Sequence, residues 1–120
     1  MICMHELSLA QSLIEQVVTA AAAEKAVEVV RVVVAIGPYS GVEKTAFEFA
    51  FPFAAENTPA EGAELVIEDE PATMVCNVCH ATTRAEPTRL VCRQCGSDQV
   101  TLQGGHAFLV REIELKVEDG

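Results

Sequence analysis

Two Cys-x-x-Cys pairs, Cys76/Cys79 and Cys92/Cys95, stand twelve residues apart in a stretch that has few apolar side chains. That spacing lets four sulfurs converge as a tetrahedron on one ion, about 2.3 Å from each if the ion is Zn²⁺. Some thirty residues with so little to bury cannot offset an ordering cost of roughly 1 to 2 kcal/mol per residue without metal ligation. Soft thiolates select zinc over harder ions, and four protein ligands leave no position for an activated water. The site is therefore expected to build structure through Zn(II) and not to catalyse. Cys76-x-x-Cys79-His80 also matches the c-type haem attachment motif, but no export signal precedes it and haem would leave the second pair unexplained.

The remaining sequence has to supply an ordinary core. In 120 residues, half are hydrophobic but only 5% aromatic, so Val, Leu, Ile and Ala must dominate it. There is room for one domain, or one slightly smaller domain with a small insert, but not for two full-sized domains. A formal charge of −10 repels phosphate backbones, which argues against nucleic-acid binding through Arg84, Arg89 and Arg93, whose charges Glu86, Asp98 and the zinc thiolates largely cancel. The N-terminus lacks the basic region and cleavage site of a secretory signal, and no 18-residue stretch is free of charge. A cytoplasmic protein without a membrane span is expected, and in that reducing compartment the cysteines read as metal ligands or free thiols.

Ser8 with Gln11 forms a capping-box pattern, and Leu9, Ala10, Leu13, Ile14, Val17, Val18 and Ala21 follow at helical spacing, which predicts a helix over 8–25. Residues 28–37 are β-branched and almost continuously apolar, as in a strand covered on both faces and ended by Gly37-Pro38. Ser40 and Glu43 form a second capping box before a helix from about 42 that bends or ends near Pro52. A short strand over 64–70 stops at Pro71, and 106–118 alternates as a strand with one wet face. The expected architecture is α+β: two helices packed on a three-stranded sheet, with an inserted four-cysteine zinc-ribbon lobe. Its division is 1–71 with 104–120 for the main domain and 72–103 for the insert. Pro71 and Gly104-Gly105 mark the joints, the one restricting the backbone and the glycines freeing it.

Met4-His5-Glu6 lies just before the first predicted helix. An imidazole beside consecutive backbone amides and a carboxylate can wrap Ni²⁺ or Cu²⁺ in a square-planar or tetragonal array, although a lone terminal His is ordinarily just solvated. The whole chain resembles the HypA/HybF family of hydrogenase nickel-insertion proteins. The resemblance is carried by MHELSLA at the front, VVVAIGPYSGVEKTAFEFAF in the middle, AEGAELVIEDEPA before the lobe, the paired cysteines and a final REIELKVE. It implies a metallochaperone, not an enzyme, that binds Ni(II) as transient cargo at Met4, His5 and Glu6 and delivers it to the large subunit of nickel-iron hydrogenase. The implied partners are that subunit and the maturation GTPase of the same pathway, with room for weak self-association. The alternative is a zinc-ribbon adaptor that only docks proteins.

The family begins at Met-His-Glu and uses the terminal amine as a nickel ligand, whereas here Met1-Ile2-Cys3 precedes it. Either Met4 is the native start, the reading preferred here, or the amine is displaced and Cys3, two residues before His5, supplies a thiolate instead. Glu43 matches an acidic position associated with nickel in relatives, but as part of the Ser40 capping box it already has a structural task. Glu6 likewise suits a helix N-terminus. His80 reads as an exposed knuckle residue and is the best candidate for making the zinc site pH-sensitive. His106 has no assigned role.

Overall fold

The computed structural model describes residues 4–85 and 89–118, apart from the Met4 side chain. The first element, α1 (Met4–Ala23), runs one turn further back than expected. Leu7 lies in helical register with Ala10, Ile14, Val17 and Ala21, and all five belong to or pack against one core cluster, so the apolar stripe extends past the supposed cap. Ser8 is consequently an exposed residue inside the helix and not its N-cap. After a turn at Glu24-Lys25 the chain enters β1 (Ala26–Ile36), the central strand of a three-stranded sheet.

That sheet has the order β2-β1-β6, where β2 is Glu64–Asp69 and β6 is Phe108–Val117. β1 pairs with β2 in parallel, from Arg31 opposite Glu64 to Ile36 opposite Asp69. It pairs antiparallel with β6, from Ala26 opposite Val117 to Ile36 opposite Phe108. The parallel pair requires a crossover, which α2 (Lys44–Ala55) provides. Val29, Val32, Val34 and Ile36 join α1 and α2 in the core. On the other face Val33 and Ala35 are buried too, flanked by Val66 and Glu112 and by Glu68 and Leu109. Burial on both faces thus holds for the second half of β1, while Val27 and Val30 near its start are 50% and 41% exposed.

Two expectations for α2 are corrected. Its N-cap is Glu43 itself, whose carboxylate accepts from the N–H groups of Thr45 at 3.2 Å and Ala46 at 2.6 Å. Ser40 instead closes the preceding loop by accepting from Val42 N–H at 3.2 Å. The longer Glu side chain reaches the first-turn amides from one residue before the helix, doing what the expected Ser-Glu reciprocity would have done. Nor does the helix end at Pro52: it continues to Ala55 because Phe51 and Ala55, both buried, hold its last turn in the core while Pro52 faces outward.

Between β2 and β6 lies a second three-stranded sheet, β4-β3-β5, formed by β3 (Ala72–Cys76), β4 (Thr82–Arg84) and β5 (Val100–Gly104). It has its own small core of Ala72, Met74 and Ala85, joined by Val100 and by Tyr39 from the loop after β1. The molecule measures 61 × 35 × 16 Å, an elongation that fits two sheets end to end with separate cores.

The junction between them is packed, which corrects the reading of Gly104-Gly105 as a free joint. Both glycines have positive φ, but a Cβ on Gly105 would lie 2.6 Å from the Ala72 Cβ and 2.9 Å from the Tyr39 ring. A Cβ on Gly37 would lie 2.2 Å from the Gly105 carbonyl oxygen. These glycines serve close approach of two backbones. Tyr39 N–H donates to Gly105 O at 2.7 Å and Gly37 N–H to Ala107 O at 2.8 Å, tying the loop to the returning strand.

Candidate metal centres

The zinc site grows from two matching turns. In the first, Cys76 N–H donates to Ala81 O at 2.9 Å and His80 N–H donates back to Cys76 O at 2.9 Å. In the second, Cys92 N–H donates to Ser97 O at 2.7 Å and Gly96 N–H to Cys92 O at 2.8 Å. Each turn aims the amide of its second cysteine at the sulfur of its first: Cys79 N–H at Cys76 Sγ, 3.4 Å, and Cys95 N–H at Cys92 Sγ, 3.5 Å. Each also requires a left-handed residue directly after the second cysteine, supplied by Gly96 (φ 77°) and by His80 (φ 65°).

The turns bring all four sulfurs within 4.8 Å of one another. Cys76 Sγ lies 3.5 Å from Cys95 Sγ, and Cys79 Sγ lies 3.5 Å from Cys92 Sγ. A ZnS₄ tetrahedron with bonds of about 2.3 Å has edges of about 3.8 Å. The sulfurs therefore need only small movements to seat the ion. Cys76 and Cys92 are buried while Cys79 and Cys95 are exposed, so one side of the site is open to solvent.

Their protonation preferences divide the same way. Amides of Cys95 and Gln94 hold the Cys92 thiol at about 6, and those of Cys79 and Val78 lower Cys76 against the effect of burial. Cys95 has the Ser97 amide pulling it down, but the neighbouring Cys76 sulfur and burial push it up to about 12. Cys79 is raised in the same manner, the Ala81 amide being outweighed by the Cys92 sulfur and burial. Each close sulfur pair thus joins a cysteine whose thiolate is favoured to one whose thiol is favoured and whose proton a metal must displace.

His5 and Glu6 occupy the first turn of α1, where the initial N–H groups have no partners within the helix. His5 Nδ1 is 2.7 Å from Glu6 Oε2, and the side chains are 58% and 4% exposed. Glu6 is buried because it shares the inward stripe with Ala10, Leu13 and Val17. That burial was legible only once the helix is extended back beyond Ser8. Met4 begins the helix, and Cys3 lies outside the described residues.

The topology sets several of these groups at one end of the main sheet. α1 returns through a tight turn into β1, so its N-terminus lies toward the C-terminal end of that strand, from which the Tyr39 loop and the start of α2 also leave. β2 arrives at that end as well, where Lys44 pairs with Asp69 and the chain passes into the zinc lobe. Glu43 thus lies toward the His5 end, with both carboxylate oxygens committed to capping. His80 is exposed, and the four-cysteine cluster does not include it. His106, unassigned from sequence, donates from Nδ1 to the Tyr39 carbonyl at 3.2 Å and belongs to the junction. Tyr39 itself was missed: Pro38-Tyr39-Ser40 resembles an ordinary turn, and its partners are remote in sequence.

The fold and the four-sulfur site define a small α+β protein organised around a structural zinc centre. The sequence profile described as "Hydrogenase/urease nickel incorporation, metallochaperone, hypA" matches residues 4–115. The hydrogenase maturation factor HypA of Psychromonas ingrahamii is 37% identical over 113 residues, 94% of this chain and 99% of the relative. That of Nitrosospira multiformis is 38% identical over 112 residues, 93% and 97% of the two chains. The solution structure of the Ni metallochaperone HypA from Helicobacter pylori superposes with a TM-score of 0.66 at 30% identity, covering 94% of this chain and 98% of that one. The chain belongs to the HypA family of nickel metallochaperones, which serve hydrogenase maturation and are not catalysts. No helix among the described residues is long and apolar enough to cross a membrane.

Proposed function

We propose that the protein binds Ni(II) at its Met4-His5-Glu6 end, in the cytoplasm, and helps insert it into the large subunit of nickel-iron hydrogenase together with a maturation GTPase. The observation that carries this reading is the exposed His5 imidazole gripped at 2.7 Å by the buried Glu6 carboxylate. A carboxylate in that position fixes the orientation of a metal-binding imidazole. The first helical turn also sets backbone nitrogens beside it. A site on an exposed first turn, poor in protein ligands, suits an ion that must be handed on.

Labour is divided accordingly: residues 1–71 with 104–120 carry nickel, and the lobe of 72–103 is held by zinc. In this reading Glu43 and His80 are structural. His5→Ala, loaded with both metals, should retain one zinc and lose specific nickel binding. Unchanged nickel stoichiometry and undiminished hydrogenase maturation in that variant would overturn the proposal.

A further inference from the structure

We propose that the cleft where the zinc lobe meets the main domain is a phosphate-binding site, in which Lys44, Arg84 and Arg93 hold the dianionic phosphate group of a small molecule.

The cleft is a cavity of about 470 Å³ whose walls come from both sheets. Lys44 stands at the start of α2, Asp69 and Glu70 lead out of β2, Arg84 ends β4, and Arg93 lies between the zinc ligands Cys92 and Cys95. That volume falls in the range of small-molecule sites. Arg93 also lines an adjoining cavity of about 670 Å³ with Arg89. Lys44, Arg84, Arg89 and Arg93 are four of the eight basic residues in a chain with 18 acidic ones, so half of its cations gather at two neighbouring openings.

The carboxylates in the wall are already neutralised. Lys44 pairs with Asp69, and Arg111, from outside the cavity, holds Glu70 at 2.6 Å. The cavity's own three cations are therefore opposed by Asp69 alone. Asp98, which offsets arginine charge over the lobe as a whole, lines neither cavity. Arg93 already interacts within the chain, but a guanidinium has five N–H donors and can serve an anion besides.

Charge decides which anion. Asp69 is tethered beside Lys44, so a free monocarboxylate of the same single charge gains little by competing with it. A phosphate group carries about −1.5 to −2 and three acceptor oxygens suited to guanidinium forks. The net −10 repels a long phosphate backbone, whereas a small dianion in a concave cleft feels chiefly the charges within a Debye length, about 8 Å at physiological salt.

The test titrates inorganic phosphate, adenosine monophosphate and acetate separately into the zinc-loaded full chain at fixed ionic strength, following backbone amide shifts by NMR. Phosphate should give saturable shifts at Ala72, Arg84, Ala85 and Arg93. Arg84→Gln and Arg93→Gln should each weaken it at least about tenfold, the loss of one charge-assisted contact, with zinc content unchanged. Lys116→Gln removes a charge at the other end of the main sheet and should change binding by less than about threefold. If Arg93→Gln loses zinc, Arg84→Gln decides together with Lys44→Gln, for which the same weakening is expected. Equal affinity for phosphate and the monophosphate makes the free ion the ligand, and a monophosphate at least about tenfold tighter makes it a phosphate ester. No saturable binding of either, binding that the cleft variants leave within about threefold of wild type, or equal weakening by Lys116→Gln would overturn the proposal. Acetate binding as tightly as phosphate would do so too, since the cleft would then take any anion.

Discussion

Tyr39 donates its backbone N–H to the Gly105 carbonyl at 2.7 Å while its ring packs into the zinc lobe's core with Ala72, Met74, Ala85 and Val100. Among the described residues, a loop of one sheet thereby supplies the only large aromatic side chain in the hydrophobic core of the other. The lobe is small enough that this ring, with the zinc, accounts for much of what holds it in place. Tyr39→Ala should destabilise it by about 2 to 3 kcal/mol through the cavity left behind. Tyr39→Phe should be neutral or slightly stabilising, because the buried hydroxyl has no hydrogen-bond partner. Denaturant melts of the zinc-loaded variants by circular dichroism give both values, and equal loss in the two variants would deny the ring its packing role.

The same junction makes Gly37 intolerant of even a methyl group. Its Cβ would meet backbone atoms of Gly105, which cannot rotate aside as a side-chain end could. Gly37→Ala should lower stability by about 1 to 3 kcal/mol. Gly41→Ala is the contrasting control: its φ is positive, at 81°, and nothing lies within 4 Å, so it reports conformational strain alone, whereas Gly37 reports contact alone. A Gly37→Ala variant as stable as the wild type would deny the close approach of the two backbones.

Much of this fold is legible locally. The strand over 28–37, the alternation of the last strand and the sulfur spacing each express a pattern complete within a dozen or so residues. What escaped depends on choices between neighbouring local solutions or on remote contact. Ser8 and Ser40 both precede a residue that fits a capping box, yet a leucine one position before Ser8 extends the core stripe, and Glu43 can cap by itself. Tyr39 meets Ala72, which is 72 − 39 = 33 positions away, so nothing near residue 39 announces the contact. At the candidate nickel end the residue types were visible, but the burial of Glu6 follows from the helix start and was lost with it.

Glu43 offers a way to separate capping from metal binding. Glu43→Ala removes acceptors for the Thr45 and Ala46 amides and should cost about 1 kcal/mol. Glu43→Asp or Glu43→Ser should restore part of that loss, since both are favoured capping residues. Nickel stoichiometry should be the same in all three. A nickel loss that Asp rescues and Ser does not would instead make the carboxylate a ligand.

His80 and Gly96 occupy equivalent positions in the two cysteine turns, and only glycine adopts their left-handed backbone without steric penalty. His80→Gly should therefore keep one zinc and stabilise the lobe by up to about 1 kcal/mol, offset in part by the greater freedom of glycine in the unfolded chain. Metal analysis and thermal melts measure the two quantities. Loss of zinc in this variant would show the imidazole to be part of the metal's environment.

The thiol preferences fix how zinc retention depends on pH. Cys79 and Cys95 are raised above 9.0, Cys95 to about 12, so both hold protons at neutral pH that zinc must displace. These two displaced protons alone make the apparent affinity fall at least about a hundredfold for each unit of acidification. Cys92 is lowered to about 6, so it is a thiolate near neutrality and becomes a third proton competitor only as pH falls through that value. The dependence should accordingly steepen by about a further tenfold per unit below pH 6. Chelator competition at several pH values measures the slope. Tyr39 fluorescence follows the lobe itself, since the chain has one tyrosine and no tryptophan and that tyrosine packs against Ala72 and Met74. Zinc loss and the Tyr39 signal should change together on acidification. A fluorescence transition that precedes zinc release would mean that the junction opens first and that the metal does not hold the lobe against it.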